Sequence, residues 1–153
     1  MSDAAPQPGM RPGVDYSLLN ESHVVAYRET NGERGGVWNG ATAILVTTKG
    51  RKSGEKRTIA IIGKQVGDNF VIIASKGGSP THPLWYLNIE ADPEVEFQYL
   101  GDRWEGVART AESPEREALW AEACTQWPAF NDYQARTERR IPLVVLEPRR
   151  KLT

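Results

Sequence analysis

Two polar stretches hold the residues that could do chemistry. Ala74–Asn88 reads ASKGGSPTHPLWYLN. The apolar run Val71-Ile72-Ile73 leads into it as a buried strand. The chain then breaks at Lys76-Gly77-Gly78-Ser79-Pro80, turns again at His82-Pro83, and starts a helix on Leu84-Trp85-Tyr86-Leu87. Paired glycines after a strand let main-chain N–H groups approach a ligand, and a helix beginning just beyond favours an anion there. The second stretch, Lys49–Arg57, reads KGRKSGEKR, with cations on both sides of Ser53-Gly54 and Glu55 as its single acid. Such a turn suits phosphate or several carboxylates. Taken singly, one stretch also reads as a tight strand-to-helix connection and the other as a solvated hairpin tip. Together they point to an anionic small molecule lying across a small sheet.

No Ser/His/Asp set, no carboxylate pair at useful spacing and no metal-ligand cluster stands out, so no metal is expected. That pattern fits a reaction whose difficult step belongs to a cofactor, which the protein binds, orients and shields from water.

Several runs occur in the order of one known family: TTKGRKSGEKR (Thr47–Arg57), ASKGG (Ala74–Gly78), PLWYLN (Pro83–Asn88) and ADPEVE (Ala91–Glu96), followed by Pro128–Tyr133 and RRIPLVVLEP (Arg139–Pro148). Over about Asn39 to Pro148 the chain resembles the deazaflavin (coenzyme F-420)-dependent nitroreductase and quinone reductase family. The resemblance implies a mainly β chain with peripheral helices, an α+β split β-barrel of the flavin-reductase type. It implies binding of coenzyme F-420, a deazaflavin with a phosphate and a polyglutamate tail. It also implies hydride transfer from the reduced cofactor to a quinone, an enone or a nitroaromatic. Carried over residue by residue, Arg51, Lys52 and Arg57 hold the phosphate and tail, with Lys49 and Ser53 beside them. Ala74, Ser75, Lys76 and Gly77 lie along the ring or its linker, Ser75 bonding the ring edge, while Pro83, Leu84 and Trp85 wall the pocket. Ordinary core packing explains Trp85 and Tyr86 equally well.

On the acceptor side, Trp127, Phe130 and Tyr133 share one face of a short helix over the ring. The best-known nitro-drug reductase type carries tyrosines at these places, and this chain keeps Tyr133 alone. Two hydroxyls are lost, which makes quinones and conjugated enones at least as good acceptors as nitro-drugs. Tyr133 is left as the one hydroxyl of the lid, and with Ser75 it forms the expected catalytic set. The bland alternative is an aromatic stripe that is simply core. Two other classes stay open: a flavin mononucleotide enzyme on the same barrel, and a carrier that holds the deazaflavin without turnover. A nucleic-acid binder is remote, because the strand aromatics look inward.

The elements that must position these residues follow from composition and periodicity. The chain has 153 residues and a formal net charge of −1, so the basic turn is a local feature on one domain-sized body. Cys124, the single cysteine, excludes an internal disulfide and reads as a buried helical thiol. There is no membrane-spanning run and no signal-peptide pattern, so the cytoplasm is the expected compartment. Residues 1–13 are expected to be disordered, 14–36 to form an amphipathic helix over Tyr16–Glu29 and a glycine-rich linker, and 37–153 the barrel. His23 is expected to be a packed or half-exposed histidine and not a ligand. The N-terminal helix leaves room for weak membrane-surface contact, and the chain is expected to be a monomer or weak dimer. Strands are expected over Ala43–Thr47, Thr58–Ile62, Phe70–Ala74, Glu94–Leu100, Arg103–Thr110 and Ile141–Leu146, with turns at Gly67-Asp68 and Gly101-Asp102. Ser113 is expected to cap a helix with Pro114 in its first turn, and a second helix runs from about Ala129 to Glu138.

Overall fold

A computed structural model describes Glu21–Trp38 and Gly40–Leu152. The expected disordered tail and the first residues of the expected helix, Tyr16–Asn20, lie outside the described residues. Helix α1 covers Glu21–Glu29 and strand β1 Val37–Trp38. Strands β2 (Ala41–Lys49), β3 (Lys56–Val66) and β4 (Asn69–Ile73) follow, then α2 (Leu84–Ala91), β5 (Glu94–Tyr99) and β6 (Asp102–Thr110). Helices α3 (Glu115–Gln126) and α4 (Ala129–Ala135) precede β7 (Leu143–Lys151).

All the pairings are antiparallel, in the order β1-β2-β3-β4-β7-β6-β5, and β5 returns to β2 through Leu45↔Gln98, Val46↔Phe97 and Thr47↔Glu96. Six strands therefore close a barrel, the split-barrel architecture the sequence implies, and β1 is a short addition to the outside of β2. Strand alternation sorts the side chains into an inner and an outer set. Ile44, Val46, Phe70, Ile72, Phe97, Val144 and Leu146 form the inner cluster, to which α2 adds Trp85, Tyr86 and Ile89. Inside it the Phe70 ring lies 5.0 Å from Trp104 and 5.3 Å from Phe97, tilted or edge-on as aromatic quadrupoles prefer. Outside, Val71, Ile73, Leu143 and Val145 take α3 and α4, while Ala43, Leu45 and Ala60 take Val24 and Tyr27 of α1. His23 is buried and its Nε2 lies 2.7 Å from Gly35 O, a packed histidine as read from the sequence.

Strands β2 and β3 run longer at both ends than expected and β4 and β7 start and end elsewhere, and four departures have a clear local reason. Strand β7 runs on through Pro148, because Pro148 sits opposite Gly106 beside a bulge in which β7 carries one extra residue, Arg149, a place that tolerates a missing N–H. Gly106 has no room for a β-carbon there, since one would run into Glu147 O. Ser113 does not cap α3: its hydroxyl donates to the Glu117 carboxylate at 2.6 Å instead. Helix α4 ends early because Gln134 closes the following loop, accepting Ile141 N–H at 2.8 Å and donating to Arg139 O at 2.8 Å. The β5–β6 turn falls on Leu100-Gly101, with Tyr99 opposite Asp102. Leu100 adopts a positive φ of 54°, and its N–H donates to the Tyr27 hydroxyl at 2.7 Å.

That hydroxyl also lies 2.9 Å from Ala43 O and 3.3 Å from Gln98 O, so one phenol ties α1 to two strands and a turn. Tyr27→Phe keeps the ring and leaves Leu100 N–H without its acceptor. The expected loss is about 1–3 kcal/mol, read as a lower urea midpoint at unchanged slope. Burial also pushes the wild-type phenol up to about 12. An unfolded tyrosine ionises near pH 10, so this contribution is complete below about pH 10 and is lost as pH rises towards the folded value. Tyr27→Phe should lack that alkaline decline; the same decline in both proteins would refute the assignment.

Candidate functional site

Strand β4 ends at Ile73, and Ala74 N–H extends its ladder by one bond to Pro142 O at 2.9 Å. The chain then turns sharply. Ser75 is right-handed helical (φ −74°, ψ −40°), and Lys76, Gly77 and Gly78 all have positive φ, of 45°, 64° and 85°. A right-handed residue followed by a left-handed one aims three successive N–H groups into one concavity, a known anion cradle. Among the described residues, the N–H groups of Ser75, Lys76 and Gly77 donate to no protein acceptor. Lysine at positive φ is strained and persists where surrounding contacts over-determine it. Here Arg139 supplies them: Nε donates to Ser79 O at 2.7 Å, Nη2 to Ser75 O at 2.7 Å, and Nη1 to Ala74 O at 3.2 Å and His82 Nδ1 at 3.0 Å. Gly78 closes the turn against α4, where a β-carbon would stand 2.7 Å from Tyr133 O.

Pro83 is extended (φ −62°, ψ 151°) and starts α2. Leu84, in the first turn, is 72% exposed, an apolar side chain facing water, whereas Trp85 is buried. Further along α2, Asn88 is 8% exposed. Its Oδ1 accepts Arg51 N–H at 3.1 Å and its Nδ2 donates to Thr48 Oγ1 at 3.3 Å. Because an amide N–H can only donate, the orientation of the carboxamide is settled by its partners. One short helix thus links the cradle at its start to the basic turn at its far end.

The basic turn holds its own shape through Gly50 N–H to Glu55 O (2.8 Å), Gly54 N–H to Gly50 O (2.8 Å) and Glu55 N–H to Ser53 Oγ (3.2 Å). Strand register divides its cations. Thr48 pairs with Arg57, and Lys49 with Lys56. Arg57 therefore shares the face of Thr48 and α2, while Lys49 and Lys56 lie on the α1 face, where Lys56 meets Glu96 at 3.0 Å. A surface groove of about 350 Å³ beside that outer face brings Asp92, Glu94, Glu96 and Glu105 together with Lys49, Lys56 and Arg149. Its carboxylates suit a polyanionic tail poorly. The α2 side, with Arg51, Lys52 and Arg57 exposed, suits one well.

Trp127, Phe130 and Tyr133 come together as the sequence suggests, but their rings are packed rather than open. Trp127 is 1% and Tyr133 4% exposed, in the outer cluster with Ile73 and Leu143, and Trp127 Nε1 lies 3.4 Å from the Tyr133 hydroxyl. The expected shared helix face does not occur: Phe130 and Tyr133 lie on α4, which touches the cradle through Gly78, while Trp127 precedes that helix as the cap of α3. Cys124 is half-buried and burial raises its thiol, which leaves it inert in this site. Among the described residues no cluster of metal-binding side chains occurs. Arg139 and Asn88 escaped the sequence reading. Arg139 bonds mainly to main-chain carbonyls far away in sequence, a pattern with no sequence signature. Asn88 did leave one, a lone carboxamide between Trp85 and Ile89 on the apolar side of a helix.

Comparison with known proteins adds a family. Residues 19–148 match the model of the F420H(2)-dependent quinone reductase family. The chain is 37% identical over 132 residues to an F420H(2)-dependent quinone reductase of Mycobacterium tuberculosis, covering 83% of this chain and 88% of that one. A solved F420-H2 dependent reductase superposes with a TM-score of 0.65 at 38% identity, over 69% of this chain and 93% of its own. A second solved structure, described as a domain-swapped dimer, gives 0.67 at 33% identity over 82% and 96%.

The Asn88 link can be tested without any ligand. Asn88→Ala removes the acceptor of Arg51 N–H and the donor to Thr48. Stability should fall by about 1–2 kcal/mol, and the amides of residues 50–55 should exchange with deuterium at least about tenfold faster. Unchanged exchange across the turn would show that the turn is held from elsewhere.

Proposed function

The chain belongs to the F420H(2)-dependent quinone reductase family, and we propose on that premise that it transfers a hydride from reduced coenzyme F-420 to a quinone, with conjugated enones and nitroaromatics as further acceptors. The observation that supports the reading best is the physical link between two anion-seeking features, the N–H cradle at Ser75–Gly77 and the basic turn, through α2.

The residues fit the cofactor's parts. Arg51, Lys52 and Arg57 offer charge-assisted hydrogen bonds to a phosphate and carboxylates, with Ser53 at the margin and Lys49, on the opposite face, withdrawn from the set. The cradle and the Ser75 hydroxyl offer donors to the carbonyl edge of a ring whose plane Ala74, Pro83, Leu84 and Trp85 support. The exposed Leu84 side chain is a surface that a planar ring would cover. When bound, the reduced deazaflavin supplies two electrons as hydride. The chain's own task is to hold the ring, admit the acceptor and meet the charge that develops on it. Negative charge grows on the acceptor oxygen, and a phenol donating to it stabilises the transition state more than the ground state. We assign that role to Tyr133, which requires its ring, packed in the free protein, to turn towards the acceptor with Trp127 and Phe130 as the apolar wall beside it. We place the reaction in the cytoplasm and the chain as a monomer or weak dimer, the latter in line with the relative described as a domain-swapped dimer. Exposed Val25 on α1 is the feature that supports weak contact of the N-terminal segment with a membrane surface.

The decisive experiment mixes reduced F-420 with the protein anaerobically and follows its reoxidation by a panel of quinones, enones and nitro compounds. Quinone-dependent reoxidation is expected; a stoichiometric yellow flavin in the purified protein, or no turnover across the panel, would overturn the reading. Lys52→Ala and Arg57→Ala should each raise the Kd for F-420 about tenfold or more, as a contact of about 1.5–3 kcal/mol is lost. The salt dependence of binding should flatten in both. Tyr133→Phe should lower turnover about tenfold with little change in Kd. Equal turnover would assign Tyr133 to packing.

A further inference from the structure

We propose that Arg139, braced by His82, is a positioning residue that aims and strengthens the N–H groups of Ser75 and Lys76 for the carbonyl edge of the deazaflavin. Two of the oxygens it holds, Ala74 O and Ser75 O, belong to the same peptide groups as Ser75 N–H and Lys76 N–H. In a trans peptide the C=O and N–H bonds point in opposite directions. Gathering both oxygens on one cation therefore turns both N–H groups away from it, towards the open side of the cradle. A cation on a carbonyl oxygen also draws electron density through the amide, and a hydrogen bond made at one end of such a chain strengthens the bond at the other. The third bond, to Ser79 O, pins the far end of the turn, so the strained φ of Lys76 is held at both sides.

His82 completes the arrangement. A guanidinium has donors and no acceptor, so the Nδ1 facing Arg139 Nη1 at 3.0 Å accepts, and the imidazole is the neutral tautomer protonated on Nε2. The ring is propped by Tyr86, with centroids 5.0 Å apart, and Tyr86 is itself fixed by its hydroxyl, 2.8 Å from Thr110 Oγ1. Arg139 thus has four acceptors in a fixed fan, which a planar guanidinium can reach and the single ammonium of lysine cannot.

This inference rests on the deazaflavin reading, and two ligands separate their failures: F-420 itself, and its ring with the ribityl chain but without phosphate or glutamates. Both are titrated by quenching of tryptophan fluorescence. Arg139→Lys and Arg139→Ala should raise the Kd for both ligands by the same factor, about tenfold. Arg57→Ala should raise it for F-420 alone. In Arg139→Ala, non-denaturing guanidinium chloride should restore binding where sodium chloride of equal ionic strength does not. His82→Asn, which keeps an acceptor near the Nδ1 position, should bind the ring fragment like wild type, and His82→Leu should bind it more weakly. If Arg139→Ala does not fold, the lysine and His82 variants carry the test. Wild-type affinity for the fragment in the Arg139 variants, or loss that guanidinium fails to restore, overturns the proposal. A wild-type protein that binds neither ligand overturns the deazaflavin reading, and this inference with it.

Discussion

The return of β5 to β2 is the constraint on which the rest of the molecule depends. With Val46 paired to Phe97 on one side and Ile59 on the other, β2 has neighbours on both edges and its side chains have two defined destinations. Every second residue enters the barrel, and the others meet α1. This places Thr48 and Arg57 at the mouth closed by α2 and sends Lys49 and Lys56 to the opposite face. A turn that is uniformly basic in sequence thereby acquires a working side and a structural side.

Within that frame, the polar parts of the site are organised by groups that can only donate or only accept. Arg139 collects carbonyl oxygens and Asn88 receives an amide proton, so each admits one arrangement of the main chain around it. Both are wholly or partly buried, where an unmade bond is costly and a made one is correspondingly directional. The cradle and the basic turn therefore owe their geometry to side chains that need not touch the ligand at all.

Much of the scaffold was legible in the sequence because it is built from local rules. Alternation in Glu94–Tyr99, the Gly67-Asp68 turn and the apolar last strand each state their structure within a few residues. What escaped was non-local. Nothing near Pro148 announces that a bulge at Arg149 of β7, set by the pairing with β6, will accommodate it, and nothing near Ser113 tells that Glu117 will take its hydroxyl before the helix can. The candidate ligand-binding stretches were visible by composition, but the division of the cations by face required the strand register. The aromatic triplet at Trp127, Phe130 and Tyr133 could be located but not weighed, since spacing alone does not separate a pocket wall from a packed layer.

Gly78 carries a consequence of a different kind. Its missing β-carbon lets the turn after β4 lie directly on the main chain of Tyr133, with no side chain between them to act as a cushion. The two backbones behave as meshed gears: a shift of α4 along its axis must displace the turn, and the reverse. Changing the reach of the helix to admit a bulkier acceptor would therefore detune the grip on the ring, and variation in the two segments should be inherited together.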